Sequence, residues 1–226
     1  MTKLIRAEVY KLTHSLYPWG IWLAYLAFSA VLVRDHPGEF TYLRSAIYPI
    51  TFLQFLIVGI ASVCIGNEFN NRVIQGYVSS GHSRAAVFCA KSLIYSVSAL
   101  MINELTLLFF GIQGGMVRGE SIDAGLMIRL APSLLAMNMV PMFVAFLSKS
   151  SGKAMGFGFL AYALQVASLN TPGITEKAVY LPYGHMFIAF RDGAFSHYPV
   201  ILAVDIVWLL LFLTGSYLAF RRSDLK

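Results

Sequence analysis

Six long apolar segments dominate this chain, and each approaches or meets the length that a membrane-crossing helix requires. A hydrocarbon core about 30 Å thick needs roughly 17 to 25 apolar residues for one helical span. The alternating pattern of membrane barrel strands is absent, so each segment is predicted to be a helix. The segments are Leu16 to Val33, Ala46 to Ile65, Ser92 to Ile112, Leu130 to Leu147, Gly152 to Leu169 and Pro199 to Phe220.

The composition agrees with a membrane protein. Of the 226 residues, 58% are hydrophobic and only 12% are charged, and the mean hydropathy is +0.67. A soluble chain of this length rarely carries so little charge. Because no internal repeat, low-complexity tract or second domain is found, the predicted fold is all-α: a polytopic integral membrane protein with a single transmembrane domain over residues 1–226.

The distribution of Lys and Arg predicts which side of the membrane each connection faces. The side that includes both termini carries eleven basic residues and the other carries six. The eleven are Lys3, Arg6, Lys11, Arg72, Arg84, Lys91, Lys149, Lys153, Arg221, Arg222 and Lys226, and the six are Arg34, Arg44, Arg118, Arg129, Lys177 and Arg191. Both termini are therefore predicted to be cytoplasmic. This asymmetry accounts for the net charge of +6, so nucleic-acid binding is not predicted.

The first fifteen residues have the pattern of a helix that lies flat in the membrane interface. Apolar residues recur at helical spacing on one face, and polar residues fall on another. The apolar set is Ile5, Val9, Leu12 and Leu16, and the other set is Lys3, Arg6, Tyr10 and Thr13. This interfacial helix is expected to lead directly into the first span.

Neither a metal site nor a catalytic centre is predicted. Cys64 and Cys89 are expected to be free thiols, and the five histidines are scattered without the spacing of a zinc site. Because no predicted span contains a histidine, a membrane-embedded serine nucleophile would lack its base. The run from Ser150 to Lys153 lacks the upstream glycine of a phosphate loop, since Leu147 holds that place. The chain itself is expected not to be an enzyme.

A polar interruption between the second and third spans, residues 66–91, is the strongest pointer to a partner. Phe69, Val73 and Ile74 are predicted to be exposed there, bracketed by Glu68 and Arg72. An exposed apolar patch normally buries against another protein. The alternative is that these residues pack back onto the inner ends of the spans.

The arrangement of these features resembles the permease subunits of type-2 ATP-binding cassette exporters. The resemblance rests on six spans with inward termini, on the interfacial helix and on three motifs. The motifs are Glu68-Phe69-Asn70-Asn71-Arg72-Val73-Ile74, then Gly81-His82-Ser83-Arg84 followed by Lys91, and the ending Arg221-Arg222-Ser223-Asp224. In that family, the matching loop forms a short coupling helix that inserts into a cleft of a separate ATPase subunit.

The resemblance implies partners and site residues. The partners are a cytoplasmic ATPase subunit, which would hold ATP and Mg²⁺, and a second permease copy or paralogue in the lipid bilayer. No cofactor is expected on this chain. The implied coupling interface consists of Glu68, Phe69, Arg72, Val73, Gly81, Ser83 and Arg84, the last three forming the turn that leads into the third span.

Two acidic residues fall inside predicted spans. Glu104 and Asp205 are placed at similar depth, roughly 12 and 9 Å below the outer ends of their helices. An unpaired charge there is costly, so the two could line one outward cavity. The alternative is a protonated carboxyl group hydrogen-bonded to Asn138 or Gln165. Lys91, at the inner interface, is expected to snorkel towards water.

The last external connection, residues 171–198, is too long for a simple turn. It is rich in aromatic and turn residues, and a piece such as Met186 to Phe190 is too short to span. It is predicted to be a re-entrant or interfacial segment, which type-2 permeases also carry between their last two spans.

These expectations describe the permease subunit of an ATP-driven exporter in the plasma membrane of a bacterium. The expected cargo is an amphipathic peptide, a lantibiotic-like compound or another hydrophobic toxic molecule. Three alternatives stay open: a stand-alone secondary transporter or channel, an intramembrane enzyme, and a membrane scaffold that transports nothing.

Overall fold

The computed structural model of the chain describes residues 2–33, 40–169, 175–192 and 197–223, and all regular structure in these ranges is helical. Arg34, Asp224 and Lys226 lie outside them, as do residues 170–174 and 193–196 of the predicted re-entrant segment. The α-helices are α1 (Thr2–His14), α2 (Leu16–Val33), α3 (Tyr42–Ser45), α4 (Ile47–Ala61), α5 (Asn67–Asn70), α6 (Val73–Ser79), α7 (Arg84–Arg118), α8 (Ala124–Ser148), α9 (Ser151–Leu169), α10 (Pro182–Asp192) and α11 (Tyr198–Arg221). A π-helical turn, Ser62–Gly66, joins α4 to α5, and a 3-10 helix, Thr175–Tyr180, precedes α10.

Five helical stretches of the described chain are long and apolar enough to cross a membrane. They are Leu16–Val33, Tyr42–Asn70, Arg84–Arg118, Ala124–Ser148 and Tyr198–Arg221. The all-helical prediction is confirmed, and the fold is compatible with a membrane-embedded protein. The predicted fifth segment does form a helix, α9, but α9 is not among the five, because Lys153 and Gln165 lower its hydropathy.

The helices pack around α4 and α8, which are the most buried of the long helices. Helix α8 packs against α7, α9 and α11, whereas α4 packs against α2, α9 and α10. Helices α2 and α11 lie at the outside and leave most of their apolar side chains at least partly exposed. A helix that is apolar on all faces and partly exposed is suited to contact with lipid chains.

The bundle has two distinct ends. The α5 end carries α1, α5, α6 and the last turn of α11, and the α10 end carries α3, α10 and the first turn of α11. Helix α7 joins the two ends over 35 residues, which is roughly 52 Å at 1.5 Å per residue. Ser83 is the N-cap of this helix, and its Oγ accepts a hydrogen bond from the Ala86 amide at 3.2 Å.

Close backbone approach at glycine holds α9 against α4 and the π-helical turn. A Cβ atom at Gly66 would lie 2.8 Å from the Ser151 Cα, and a Cβ at Gly158 would lie 2.5 Å from the Val58 Cγ1. Ser62 Oγ reinforces this contact by donating to the Ser151 carbonyl at 2.7 Å. Gly152 and Gly156 face open space.

A short helix lies where the sequence predicts a non-spanning piece before the last span. Helix α10 has 11 residues, roughly 16 Å and about half the thickness of a hydrocarbon core. Arg44 holds its end, because Nε donates to the Phe190 carbonyl at 2.6 Å and Nη2 donates to the Arg191 carbonyl. At its start, a Cβ on Gly184 would lie 2.1 Å from the Ala178 oxygen, so only glycine fits there.

Candidate functional site

Four charged side chains converge at the α5 end of the bundle. Lys91 Nζ lies 2.5 Å from Glu8 Oε1 and also contacts Glu68 Oε2. Lys11 Nζ contacts the other oxygen of Glu68. We call Glu8, Lys11, Glu68 and Lys91 the charged cluster. It joins the N-terminal helix α1 to α5 and α7.

Most of the charged cluster is buried. Glu8, Glu68 and Lys91 are at most 6% exposed, whereas the side chain of Lys11 is 47% exposed. Two carboxylates and two ammonium groups balance one another, which offsets part of the cost of removing them from water. The prediction that Lys91 snorkels to the interface is therefore wrong. Its ammonium stays inside because both glutamates lie within reach.

The amphipathic pattern of α1 explains how Glu8 reaches the cluster. Leu4, Glu8 and Leu12 are four residues apart and share one face of the helix, and both Leu4 and Glu8 are buried. Sequence reasoning missed Glu8. The available signal was a single acidic residue inside an otherwise apolar stripe.

Two tyrosines surround the charged cluster. Tyr77 OH donates to Glu8 Oε1 at 3.3 Å, and its ring lies under the Lys91 ammonium, 5.5 Å from the ring centre. Burial and the negative charges of Glu8 and Glu68 raise the pKa of Tyr77 to about 12, so the hydroxyl remains a donor at neutral pH. Tyr17 OH lies 2.9 Å from the Cys64 thiol on the other side.

The predicted exposure of Phe69 and Ile74 is wrong. Phe69 is 6% exposed and Ile74 is fully buried, while Val73 is half-buried. The Phe69 ring lies 6.3 Å from that of Phe146 and 6.1 Å from that of Phe220. Helix α5 continues the long helix before it, so its buried face follows that helix into the core. The alternative, in which these residues pack back onto the spans, holds for Phe69 and Ile74.

What the loop presents outwards is polar. Arg72 lies between α5 and α6 with φ of 56°, a left-handed conformation that is uncommon for a residue with a side chain. The exposed residues around it have small or uncharged side chains. We call Asn70, Asn71, Arg72, Gly76 and Ser79 the loop face.

The turn after the loop face is tied to the C-terminal end of α11. Gly81 has φ of 92°, which favours glycine, and Ser83 caps α7. Arg84 Nη1 donates to the carbonyl oxygens of Arg221 and Ser223 at 2.7 and 2.8 Å. The loop face is thus connected to α7 and α11.

The two acidic residues that the sequence predicts inside spans have different surroundings. Asp205 is 2% exposed, accepts a hydrogen bond from Ser133 Oγ at 2.5 Å and lies 2.9 Å from His185 Nδ1. Glu104 is half-buried, and its Oε1 has no hydrogen-bond partner among the described residues.

These contacts do not place the two acids in one cavity. Ser133 and His185 take the places that sequence reasoning gave to Asn138 and Gln165. His185, which that reasoning overlooked, belongs to α10 and brings its ring to Asp205 because its Nε2 lies 2.7 Å from the Val179 carbonyl.

Comparison of the chain with protein-family models and with curated proteins found no match. The fold and the site define a class: over the residues that the structure describes, the protein is all-helical, with five helices long and apolar enough to cross a membrane and a polar loop face braced by buried charges at one end.

Proposed function

We propose that this chain is the transmembrane permease subunit of an ATP-driven exporter, and that the loop face docks a separate ATPase subunit. The observation that carries the proposal is the buried mounting of the loop face. Behind it lie the buried Phe69 and Ile74 and the charged cluster. A docking surface of this kind would pass a displacement into the membrane helices.

The mounting connects the loop face to three long elements. Lys91 brings α7 to Glu8 of α1, while Glu68 brings in the end of the second span. Arg84 adds the end of α11 through its two carbonyl contacts. Packed helices with buried polar contacts move as units rather than deforming continuously. A push on the loop face would therefore reach α1, the third span and the last span together.

The docking contact itself is assigned to Arg72 rather than to Phe69. Arginine is enriched at protein interfaces, and Arg72 is the charged member of the loop face. Its left-handed backbone turns the chain outwards between α5 and α6. Phe69 and Glu68 are buried beneath the loop face and hold the loop in place.

A sixth span fits this arrangement. Both α1 and the last turn of α11 lie at the α5 end of the bundle, which requires an even number of passages between the ends. We infer that α9 supplies the sixth, although it is less apolar than the others. The charge asymmetry then puts both termini and the loop face in the cytoplasm.

The proposed cargo is an amphipathic peptide, a lantibiotic-like compound or another hydrophobic toxic molecule. The helices offer a broad apolar surface, with exposed leucines on α7, α9 and α11 and exposed phenylalanines on α7 and α9. A second permease copy or paralogue would complete the pathway, and ATP and Mg²⁺ would bind to the ATPase partner.

Purification from native membranes tests the proposal. We expect the tagged chain, extracted in mild detergent, to retain an ATPase whose ATP hydrolysis is inhibited by vanadate. A stand-alone transporter would instead be purified without an ATPase and would move its cargo when reconstituted with an ion gradient alone. That result would refute the exporter assignment.

A further inference from the structure

A groove of 310 Å³ separates the corner between α1 and α2 from α7. Its walls are almost entirely apolar. Val9 and Leu12 of α1, Trp19 and Trp22 of α2, and Met101 of α7 are among the residues that line it. Trp19 and Met101 are each about half exposed, so the groove opens to the surroundings of the bundle.

The length of the groove matches one leaflet of a bilayer. On α7 it runs from Ile94 to Leu105, which is roughly 16 Å at 1.5 Å per residue. A hydrocarbon core is about 30 Å thick, so the groove covers about half of it. An acyl chain from one leaflet has this reach, with its headgroup beside α1.

A positive charge marks the headgroup end. Arg6 lies on the same stripe of α1 as Val9 and Thr13, which line the groove, because the three are spaced i, i+3 and i+7. Arg6 is exposed and makes no ion pair among the described residues. The acidic residue of α1, Glu8, is buried on another face and is already paired with Lys91.

We propose that this groove binds an acyl chain of an anionic phospholipid whose phosphate is held by the guanidinium of Arg6. Arginine is suited to phosphate because its planar fork of donors matches the phosphate oxygens. Trp19 lies at the same end, where amphipathic aromatic rings favour the headgroup region. This site does not depend on the exporter assignment, since it requires only that the chain lies in a bilayer.

The tryptophans provide the test. The chain has three, and Trp19 and Trp22 line the groove, whereas Trp208 stacks on Phe212 of α11. In a Trp208→Phe variant, the fluorescence therefore reports on the groove. The measurement is the quenching of this fluorescence by brominated phosphatidylglycerol and by brominated phosphatidylcholine in mixed vesicles. The ratio of the two gives the relative affinity of the groove for anionic and neutral lipid. A Trp19→Phe/Trp22→Phe variant, which keeps Trp208, reports on lipid elsewhere.

We expect the groove tryptophans to prefer the anionic lipid by about five-fold, since one basic residue near a membrane surface contributes about 1 kcal/mol. Arg6→Gln should abolish the preference, whereas Lys153→Gln, at an exposed position on α9 that does not line the groove, should keep it. Val97→Phe, which narrows the groove, should weaken quenching by both lipids.

Three results would overturn the lipid site. Equal quenching by both lipids in the parent chain, or a preference that survives Arg6→Gln, would remove the role of Arg6. Absence of quenching by either lipid, together with disulfide cross-linking between two copies of a Met101→Cys variant, would assign the groove to a second copy of the chain.

Discussion

Lys91 and Glu8 form a buried ion pair, with Lys91 Nζ 2.5 Å from Glu8 Oε1, although 83 positions separate them in the chain. This contact makes the N-terminal helix part of the bundle rather than a loose helix on the membrane surface. Because Lys91 also contacts Glu68, α1 is fixed to the loop after the second span. Helix α1 and this loop are therefore both held by Lys91.

Removing the Lys91 ammonium should destabilise the whole α5 end. Lys91→Met leaves Glu8 and Glu68 buried without their main partner, and breaking a buried pair in this way costs about 3 to 5 kcal/mol. Lys11→Met is the matched control, because the side chain of Lys11 is 47% exposed and its pair is worth about 1 kcal/mol or less. Measuring the free energy of unfolding of both variants in detergent micelles gives the two losses of stability. Equal losses would show that burial of Lys91 is unimportant.

Phe69 should behave as a core residue rather than as a docking residue. Phe69→Ala removes a ring that lies against Phe146 and Phe220, and truncation of a buried phenylalanine costs about 3 to 5 kcal/mol. Phe157→Ala, at a site where the side chain is 58% exposed, should cost far less. Thermal unfolding compares the two variants. A Phe69→Ala protein as stable as the Phe157→Ala control would contradict the burial of Phe69.

The long helices follow from apolar length alone, which is why the first, second, third, fourth and sixth predicted segments reappear. The boundaries do not follow from it. The predicted third span begins at Ser92, but α7 begins at Arg84, because Ser83 caps the helix and Lys91 interrupts the apolar run without ending the helix. Hydropathy detects the part of a helix that lipid can surround, not the part that projects beyond it.

The charged cluster was beyond sequence reasoning for a different reason. Lys91 alone looks like an interfacial cation, and Glu8 alone looks like one polar residue of an amphipathic helix. Only the packing of α1 against α7 brings the two together. Similarly, the sequence places Phe69 in an exposed loop, because nothing local indicates that α5 continues the second span and shares its buried face.

Asp205 and Glu104 should respond differently to loss of their carboxyl groups. Asp205→Leu leaves Ser133 and His185 without their acceptor, at about 1 to 3 kcal/mol for each group. Glu104→Leu should be neutral or stabilising, since Glu104 Oε1 has no hydrogen-bond partner among the described residues. Unfolding measurements on the two leucine variants provide the comparison. A larger loss for Glu104 would mean that its carboxyl group has an essential partner.

The sidedness of the membrane arrangement can be tested with two matched serines. Ser80 follows α6 and Ser121 follows α7, and both are exposed at opposite ends of that helix. In a Cys89→Ser background, a membrane-impermeant maleimide should label Ser121→Cys on intact cells. Ser80→Cys should react only after permeabilisation. Labelling of Ser80→Cys from outside would reverse the proposed orientation.

Docking of an ATPase on the loop face is the central claim, and two charge reversals test it most directly. Arg72 and Lys149 are both exposed basic residues with left-handed backbone, with φ of 56° and 51°, so Arg72→Glu and Lys149→Glu disturb charge and backbone alike. The measurement is the vanadate-sensitive ATP hydrolysis that remains with each tagged chain after purification. We predict that Arg72→Glu loses at least about 2 kcal/mol of binding, roughly 30-fold, and that Lys149→Glu retains the ATPase. Retention of the ATPase by Arg72→Glu, or equal loss in both variants, would contradict the claim.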